Sequence, residues 1–200
     1  MSPAPLTGDR LGRTFYARST EVVARDLIGR ALLHNVDGTL IGGRIVETEA
    51  YLHRRDPASH SARGMTPRNA SMFAAPGTLY VYTIHAKFCM NAVTQQIGEG
   101  TAVLIRAIEP IWGIPEMQHN RGQEDLRKLT RGPAMLCQAL QVVLEDDGRS
   151  LTEDPRLGIY EFPTRSNHRI VSGKRIGISK AAHRNLRFVD PDSRFLSRRI

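Results

Sequence analysis

The pattern of apolar and polar positions predicts a helix followed by a β-hairpin near the start of the chain. Within residues 19–29 the apolar side chains recur at helical spacing, at Val22, Val23, Leu27 and Ile28. Ser19 or Thr20 can cap this helix, and Gly29 can end it. Residues 31–36 and 39–52 have the composition of strands, and Asp37-Gly38 between them is typical of a tight hairpin turn, because this pair tolerates positive φ.

The rest of the chain continues with short β-like runs and few helices. Runs rich in β-branched and aromatic residues predict strands at 78–85, 88–93, 101–108, 157–162 and 174–179. Residues 112–117, after Pro110, suggest a short helix, and another begins at Gly132-Pro133. Consecutive strands with few intervening helices favour an antiparallel or mixed sheet with peripheral helices.

Composition describes an ordinary globular chain. Its 200 residues are 40% hydrophobic and 24% charged, which is sufficient for one packed domain. We expect residues 1–11 to form a loose tail and residues 12–200 to form the domain. No apolar run is long enough to span a bilayer, and the N-terminus lacks the apolar stretch of a secretory signal. The two cysteines, Cys89 and Cys137, are too few for a disulfide framework, so buried thiols are expected.

The net charge of +8 is concentrated at the C-terminal end. Residues 165–200 contain ten Lys or Arg and two Asp, so they carry the whole excess, and the first 164 residues are balanced. Apolar residues are interleaved with these charges, which indicates a folded surface rather than a basic tail. Such a surface favours a polyanionic partner, because each neutralised phosphate releases counterions.

Residues 44–51, RIVETEAY, contain the first polar positions that need an explanation. Strand alternation places Val46, Thr48 and Ala50 on one face. It places Glu47, Glu49 and Tyr51 on the other, which is either a solvated sheet face or a pocket in which a carboxylate acts as general base. A metal site using Glu49, His53, Asp56 and His60 is a further alternative, but strand geometry at 49–51 spoils the helical spacing that the first pair needs.

Three later features also suggest chemistry. His85-Ala86-Lys87 lies between two β-like runs, as a hairpin tip would, and an imidazole beside a lysine suits insertion between bases next to a phosphate. Arg106 lies within an apolar strand, so it must be paired or functional. Asn91 needs hydrogen-bond partners inside a strand.

These segments together resemble the alkyladenine (3-methyladenine) DNA glycosylase family. The resemblance is carried by RIVETEAY (44–51), SH (59–60), TPRNASMF (66–73), PGTLYVYTIHAKFCMN (76–91), VLIRAIEP (103–110), GPAMLCQAL (132–140) and GKRIGISKAAHRNLRF (173–188). It covers nearly the whole chain from about residue 12. It implies an α+β fold: a single mixed α/β domain with a curved antiparallel sheet, peripheral helices and a protruding DNA-intercalating hairpin.

The resemblance also implies a role for particular residues. Glu49 matches the general base, Arg106 an arginine that holds the nucleophilic water, and Ile176 a residue whose main chain contacts that water. Tyr51, His60 and Tyr82 match the side chains around a flipped base, and Asn91 one that disfavours guanine. The intercalating residue is tyrosine in the best-known relatives and His85 here, in a hairpin one residue shorter. We further expect Lys87, Lys174, Arg175 and Lys180 to contact the DNA backbone.

The expected activity is that of a monofunctional DNA glycosylase of base excision repair. It would flip alkylated or deaminated purines from double-stranded DNA and hydrolyse the N-glycosidic bond with a Glu-activated water, using no metal or cofactor. We expect a bacterial cytoplasmic, nucleoid-associated monomer with no membrane association and no obligate protein partner. A non-catalytic nucleic-acid-binding module and a metal-dependent hydrolase remain alternatives.

Overall fold

A computed structural model describes residues 8–163 and 169–199. The described part contains four α-helices: α1 Arg13–Tyr16, α2 Thr20–Asp26, α3 Ile114–Arg121 and α4 Pro133–Ala139. It contains eight strands: β1 Ala31–Val36, β2 Thr39–Tyr51, β3 Leu79–Ile84, β4 Lys87–Thr94, β5 Thr101–Trp112, β6 Leu157–Tyr160, β7 Val171–Gly173 and β8 Arg187–Val189. Short 3-10 helices lie at Pro67–Phe73, Leu126–Lys128 and Leu144–Asp146.

The strands form one curled antiparallel sheet in a single domain with helices around it, so the expected α+β fold is confirmed. The strand order is β3-β4-β5-β2-β1-β6. The long strand β2 pairs with β1 along its first half and with β8 along its second half, and β7 extends the sheet beyond β8. This arrangement brings β8, from the C-terminal part of the chain, beside Glu47 and Glu49 in the second half of β2.

A bulge in β2 changes the alternation predicted from the sequence. The register between β2 and β5 shifts on both sides of Glu47. As a result Ile45 and Ala50 both belong to the main hydrophobic core, whereas Val46 packs in a separate cluster with Phe195 and others. The prediction that Val46 shares a face with Ala50 is therefore wrong.

The local turn signals are confirmed, but several element ends differ. Asp37 and Gly38 have φ of 49° and 85°, as the tight hairpin turn requires. The helix predicted at 19–29 forms as the shorter α2, and Ser19 makes no capping hydrogen bond through its side chain. Strand β5 continues through Pro110 to Trp112, so α3 begins later than expected.

The prediction of a closing strand at 174–179 is wrong. These residues form bends and irregular structure, and the short strands β7 and β8 lie on either side of them. The irregular path has a consequence for the site, because it directs the main-chain amide of Ile176 toward Glu49, near the end of β2.

The main core lies between the sheet, α2 and α4, and the predicted burial of Cys89 and Cys137 as free thiols is confirmed. Within the described residues, no helix is both long and apolar enough to cross a membrane. Of the predicted loose tail, residues 1–7 lie outside the described residues. Leu11 is buried and its amide bonds to Ile159, so packing begins before residue 12.

Candidate active site

Glu49 is the centre of the site, although no part of its side chain is exposed. Its Oε1 accepts a hydrogen bond of 2.8 Å from the main-chain N–H of Ile176. Its Oε2 accepts one of 2.9 Å from the hydroxyl of Tyr51. The Nη1 of Arg106 lies 3.4 Å from Oε1. Three of the predicted residues therefore surround the predicted general base, and both oxygens of its carboxylate are oriented.

The environment of Glu49 makes it a better proton acceptor than an ordinary glutamate. Burial raises the pKa of Glu49, and this outweighs the opposing effects of Arg106, the Ile176 amide and the Tyr51 hydroxyl. A carboxylate with a raised pKa is suited to accept a proton from water near neutral pH.

Glu47, on the same strand, is in the opposite electrostatic state. Burial alone would raise its pKa, but Arg106, Arg187 and two hydrogen bonds from Ser197 lower the pKa of Glu47 below its ordinary value. The two carboxylates are both fully buried, so the alternative of a solvated sheet face is wrong. Their different partners therefore shift the two pKa values in opposite directions: the pKa of Glu47 is lowered and that of Glu49 is raised.

An aromatic cluster lies next to Glu49. The rings of His60 and Tyr82 meet edge to face with centroids 4.4 Å apart. Tyr80, which was not among the predicted site residues, shares a 2.9 Å hydrogen bond with Nδ1 of His60. Burial lowers the pKa of His60 and raises the pKa of Tyr80 to about 12, so both side chains are neutral near pH 7. The three predicted base-enclosing residues, Tyr51, His60 and Tyr82, line one pocket.

The pocket continues into a larger cleft. A cavity of about 20 Å³, lined by Tyr51, His60, Tyr82 and Asn91 among others, opens beside a cleft of about 490 Å³. The larger volume lies in the range of small-molecule sites in proteins. Arg106 and Ile176 line the cleft, and no Asp, Glu or Lys does so among the described residues. Its wall combines apolar and cationic groups, which suits an aromatic base on a phosphate backbone.

Asn91 lines the smaller cavity and is held by a hydrogen bond of its side chain. Its residue is 3% exposed, and its side-chain amide donates a 2.9 Å hydrogen bond to the carbonyl of Tyr80, its partner across β3 and β4. This bond supplies the partner expected for a polar residue inside a strand.

His85 and Ala86 form the two-residue turn between β3 and β4. Ile84 pairs with Lys87, and the two turn residues have φ of 47° and 58°. His85 and Lys87 are both exposed. The predicted hairpin tip is confirmed as a structure. With these φ values, both turn residues are in the left-handed conformation. Because neither is glycine, their side chains disfavour this conformation.

The basic residues expected at the DNA backbone do not all lie at the surface. Lys87, Lys174 and Lys180 are exposed. The side chain of Arg175 is fully buried, and its two terminal nitrogens each lie 2.6 Å from an oxygen of Asp56. This placement does not fit a contact between Arg175 and a phosphate. The guanidinium instead lies 4.6 Å from the ring centre of Tyr51. Arg175 also immediately precedes Ile176, whose amide binds Glu49.

The alternative of a metal site requires several possible ligands to lie close together in the described residues. Within residues 8–163 and 169–199, no group of three or more His, Cys, Asp or Glu is close enough to hold a metal ion. Asp56, one of the ligands considered, is taken up by Arg175.

Several residues of the site could not be found from the sequence. Asp56 anchors Arg175, and Asn69 donates a 2.9 Å hydrogen bond to the carbonyl of His60, which holds the loop beside the pocket. Ser197 contacts Glu47 through both its amide and its hydroxyl. The TPRNASMF segment pointed to the region of Asn69 without giving it a role, and Asp56 was considered only as a metal ligand.

Comparisons with known proteins agree with the family resemblance found in the sequence. The family model described as Methylpurine-DNA glycosylase (MPG) matches residues 14–194. Three similar proteins bear the name "Putative 3-methyladenine DNA glycosylase". That of Rhodopirellula baltica is 48% identical over 188 residues, which are 92% of this chain and 81% of that protein. That of Nitrobacter winogradskyi is 45% identical, covering 97% and 90% of the two chains, and that of Methanoculleus marisnigri is 45% identical, covering 94% and 99%.

Proposed function

Because the chain belongs to the methylpurine-DNA glycosylase family, and is thus a DNA glycosylase that hydrolyses N-glycosyl bonds, we propose that it excises alkylated and deaminated purines from double-stranded DNA. The damaged nucleotide leaves the helix, its base enters the aromatic pocket, and a water activated by Glu49 attacks the sugar. 3-Methyladenine and hypoxanthine are the substrates proposed. The enzyme acts as a monomer.

The observation that carries this proposal is the environment of Glu49. A fully buried carboxylate with a raised pKa lies beside an aromatic pocket and a cationic cleft. A glutamate in this state can remove a proton from water as the bond between C1′ and the base nitrogen breaks. The sugar develops positive charge in that step, and the carboxylate, which stays ionised until it accepts the proton, stabilises that charge.

Arg106 and Ile176 support the position of the attacking water. Both approach Oε1 of Glu49, at 3.4 Å and 2.8 Å. A water beside this oxygen would lie near a guanidinium and a fixed main-chain segment, which restrict its orientation. Alkylated purines are good leaving groups already, whereas hypoxanthine requires protonation as it leaves.

Base flipping precedes this chemistry, because a stacked base cannot reach a buried carboxylate. His85, at the exposed hairpin tip, fills the space left in the helix, and its ring recovers part of the lost stacking energy. Tyr51, His60 and Tyr82 receive the base, and Asn91 restricts the smaller cavity against purines with a 2-amino group. No lysine lines the cleft among the described residues, which supports a monofunctional hydrolase without strand cleavage.

The test is excision of single lesions from a panel of duplexes by the wild-type protein and by Glu49→Gln. The variant keeps the size of the side chain and loses its basicity, so the single-turnover rate should fall by about 10²–10⁴-fold while binding to the same duplex is retained. Glu109→Gln is a matched control on the neighbouring strand β5, where Glu109 pairs with Arg44 away from the pocket. Excision by Glu49→Gln at the wild-type rate would remove Glu49 from the mechanism.

A chelator distinguishes the metal-dependent alternative. The proposed reaction uses a carboxylate and water, so we expect full excision in EDTA. Loss of excision in EDTA that returns on adding a divalent metal would contradict the proposal.

A further inference from the structure

Glu47 is a fully buried charge for which the proposed reaction has no use. Its Oε1 accepts hydrogen bonds from Nε of Arg106 (2.9 Å), Nε of Arg187 (2.8 Å) and Oγ of Ser197 (2.7 Å). Its Oε2 accepts one of 2.6 Å from the amide of Ser197. A buried carboxylate with this many charged and polar partners holds its neighbours in fixed positions, since any displacement would leave a charge unpaired.

The contacts of Arg106 show what is held. Its Nε binds Glu47, and its Nη2 donates a 3.3 Å hydrogen bond to Oγ of Ser197. Only Nη1 is directed at Glu49, at 3.4 Å, which is longer than a normal hydrogen bond. The guanidinium is thereby prevented from turning its paired nitrogens onto Glu49, an arrangement that arginine and carboxylate otherwise prefer.

We propose that Glu47 and Ser197 are positioning residues that hold Arg106 away from a close ion pair with Glu49, so that Glu49 remains free to act as the base. The inference rests on the proposed function of Glu49. It gives the C-terminal segment, residues 196–198, a role in the site. This segment is itself held by Arg131, which donates a 2.8 Å hydrogen bond to the carbonyl of Leu196, and by Arg187, which bonds to the carbonyl of Arg198.

The charges around Glu49 predict the direction of the effect. The charged and titratable groups facing it are Arg106 from β5, Glu47 and Tyr51 from β2, Tyr82 from β3 and Cys89 from β4. Arg106 lowers the pKa of Glu49, and the negative charge of Glu47 raises it. Removing the charge of Glu47 takes away the raising effect and releases Arg106 toward Glu49. Both changes lower the pKa of Glu49 and make it a weaker base.

The experiment measures single-turnover excision against pH, on the lesion that the wild-type protein excises fastest. For Glu47→Gln we expect a rate about tenfold lower at neutral pH, with the acidic limb of the profile moved to lower pH. Ser197→Ala removes the hydroxyl that contacts both Glu47 and Arg106, and should change rate and profile in the same direction by about threefold. Ser197→Thr keeps the hydroxyl and should restore the wild-type profile.

Glu109→Gln serves as the control, since it removes a carboxylate paired with Arg44 on the same two strands and should leave the profile unchanged. A folded Glu47→Gln with the wild-type rate and acidic limb overturns the inference. If that variant does not fold, Ser197→Ala decides, and a wild-type rate and profile there overturns it. A different result is that Glu49→Gln loses excision while Glu47→Gln and Ser197→Ala keep the wild-type pH–rate profile. That result would support the proposed function and reject only the positioning role.

Discussion

Replacing Arg175 with Met should destabilise the protein strongly, because it leaves the carboxylate of Asp56 buried without its counter-ion. Both side chains are fully buried, and the guanidinium makes two contacts of 2.6 Å with the carboxylate and one of 2.9 Å with the carbonyl of Ala50. Breaking a buried pair by removing one partner costs about 3–5 kcal/mol. For a chain of this length, that loss corresponds to a decrease in melting temperature of about 6–20 °C.

The pH dependence distinguishes this explanation from a simple loss of packing. Burial alone would raise the pKa of Asp56, but its hydrogen bonds from Arg175 and from two main-chain amides lower it. The wild-type carboxylate therefore contributes stability above its unfolded pKa, which is lost as pH falls through the folded pKa. In Arg175→Met burial dominates and raises the pKa of Asp56, so the deficit relative to wild type should shrink as pH falls and the carboxyl group is protonated.

Urea denaturation of both proteins between about pH 4 and pH 7 measures the deficit directly. Arg13→Met is the matched control: its pair with Glu153 is 3.7 Å long and both side chains are more than half exposed, so it should cost less than about 1 kcal/mol. Asp56→Asn combined with Arg175→Met should recover part of the loss. A deficit below about 1 kcal/mol for Arg175→Met, or one independent of pH, would refute the reasoning.

Four further outcomes are expected of the proposed enzyme. The excision rate should rise with pH through the raised pKa of Glu49, because only the ionised carboxylate accepts a proton; a rate that does not decrease at acidic pH would contradict this. His85→Ala should weaken flipping, followed by the fluorescence of an ethenoadenine base, far more than binding to undamaged DNA, and equal losses would exclude a wedge. Asn91→Ser should extend excision toward guanine-type bases, and an unchanged lesion profile would count against its role. Neutralising Lys174 and Lys180 together should reduce the slope of log affinity against log salt by about 1.8, as titrations at several salt concentrations would show.

Features that depend on neighbours in sequence were predicted well. The turn at Asp37-Gly38 and the hairpin tip at His85-Ala86 follow from residues a few positions apart, and the structure has both. The pairing of Glu49 and Tyr51 on one face also follows from strand alternation, and the two side chains are joined by a hydrogen bond. The individual roles came from resemblance to a family, since alternation alone left a solvated face open.

What the tertiary structure decided is which charges meet. Arg175 looked like a phosphate ligand in a basic segment, yet it pairs with Asp56, 119 positions away. Glu47 and Ser197 are 150 positions apart and share two hydrogen bonds. Residues 174–179, predicted as a strand, follow an irregular path instead, and this path directs the Ile176 amide at Glu49. The physical reason is that hydrophobic periodicity and turn propensity act over a few residues, whereas the partner of a buried charge is set by how the whole chain excludes water around it.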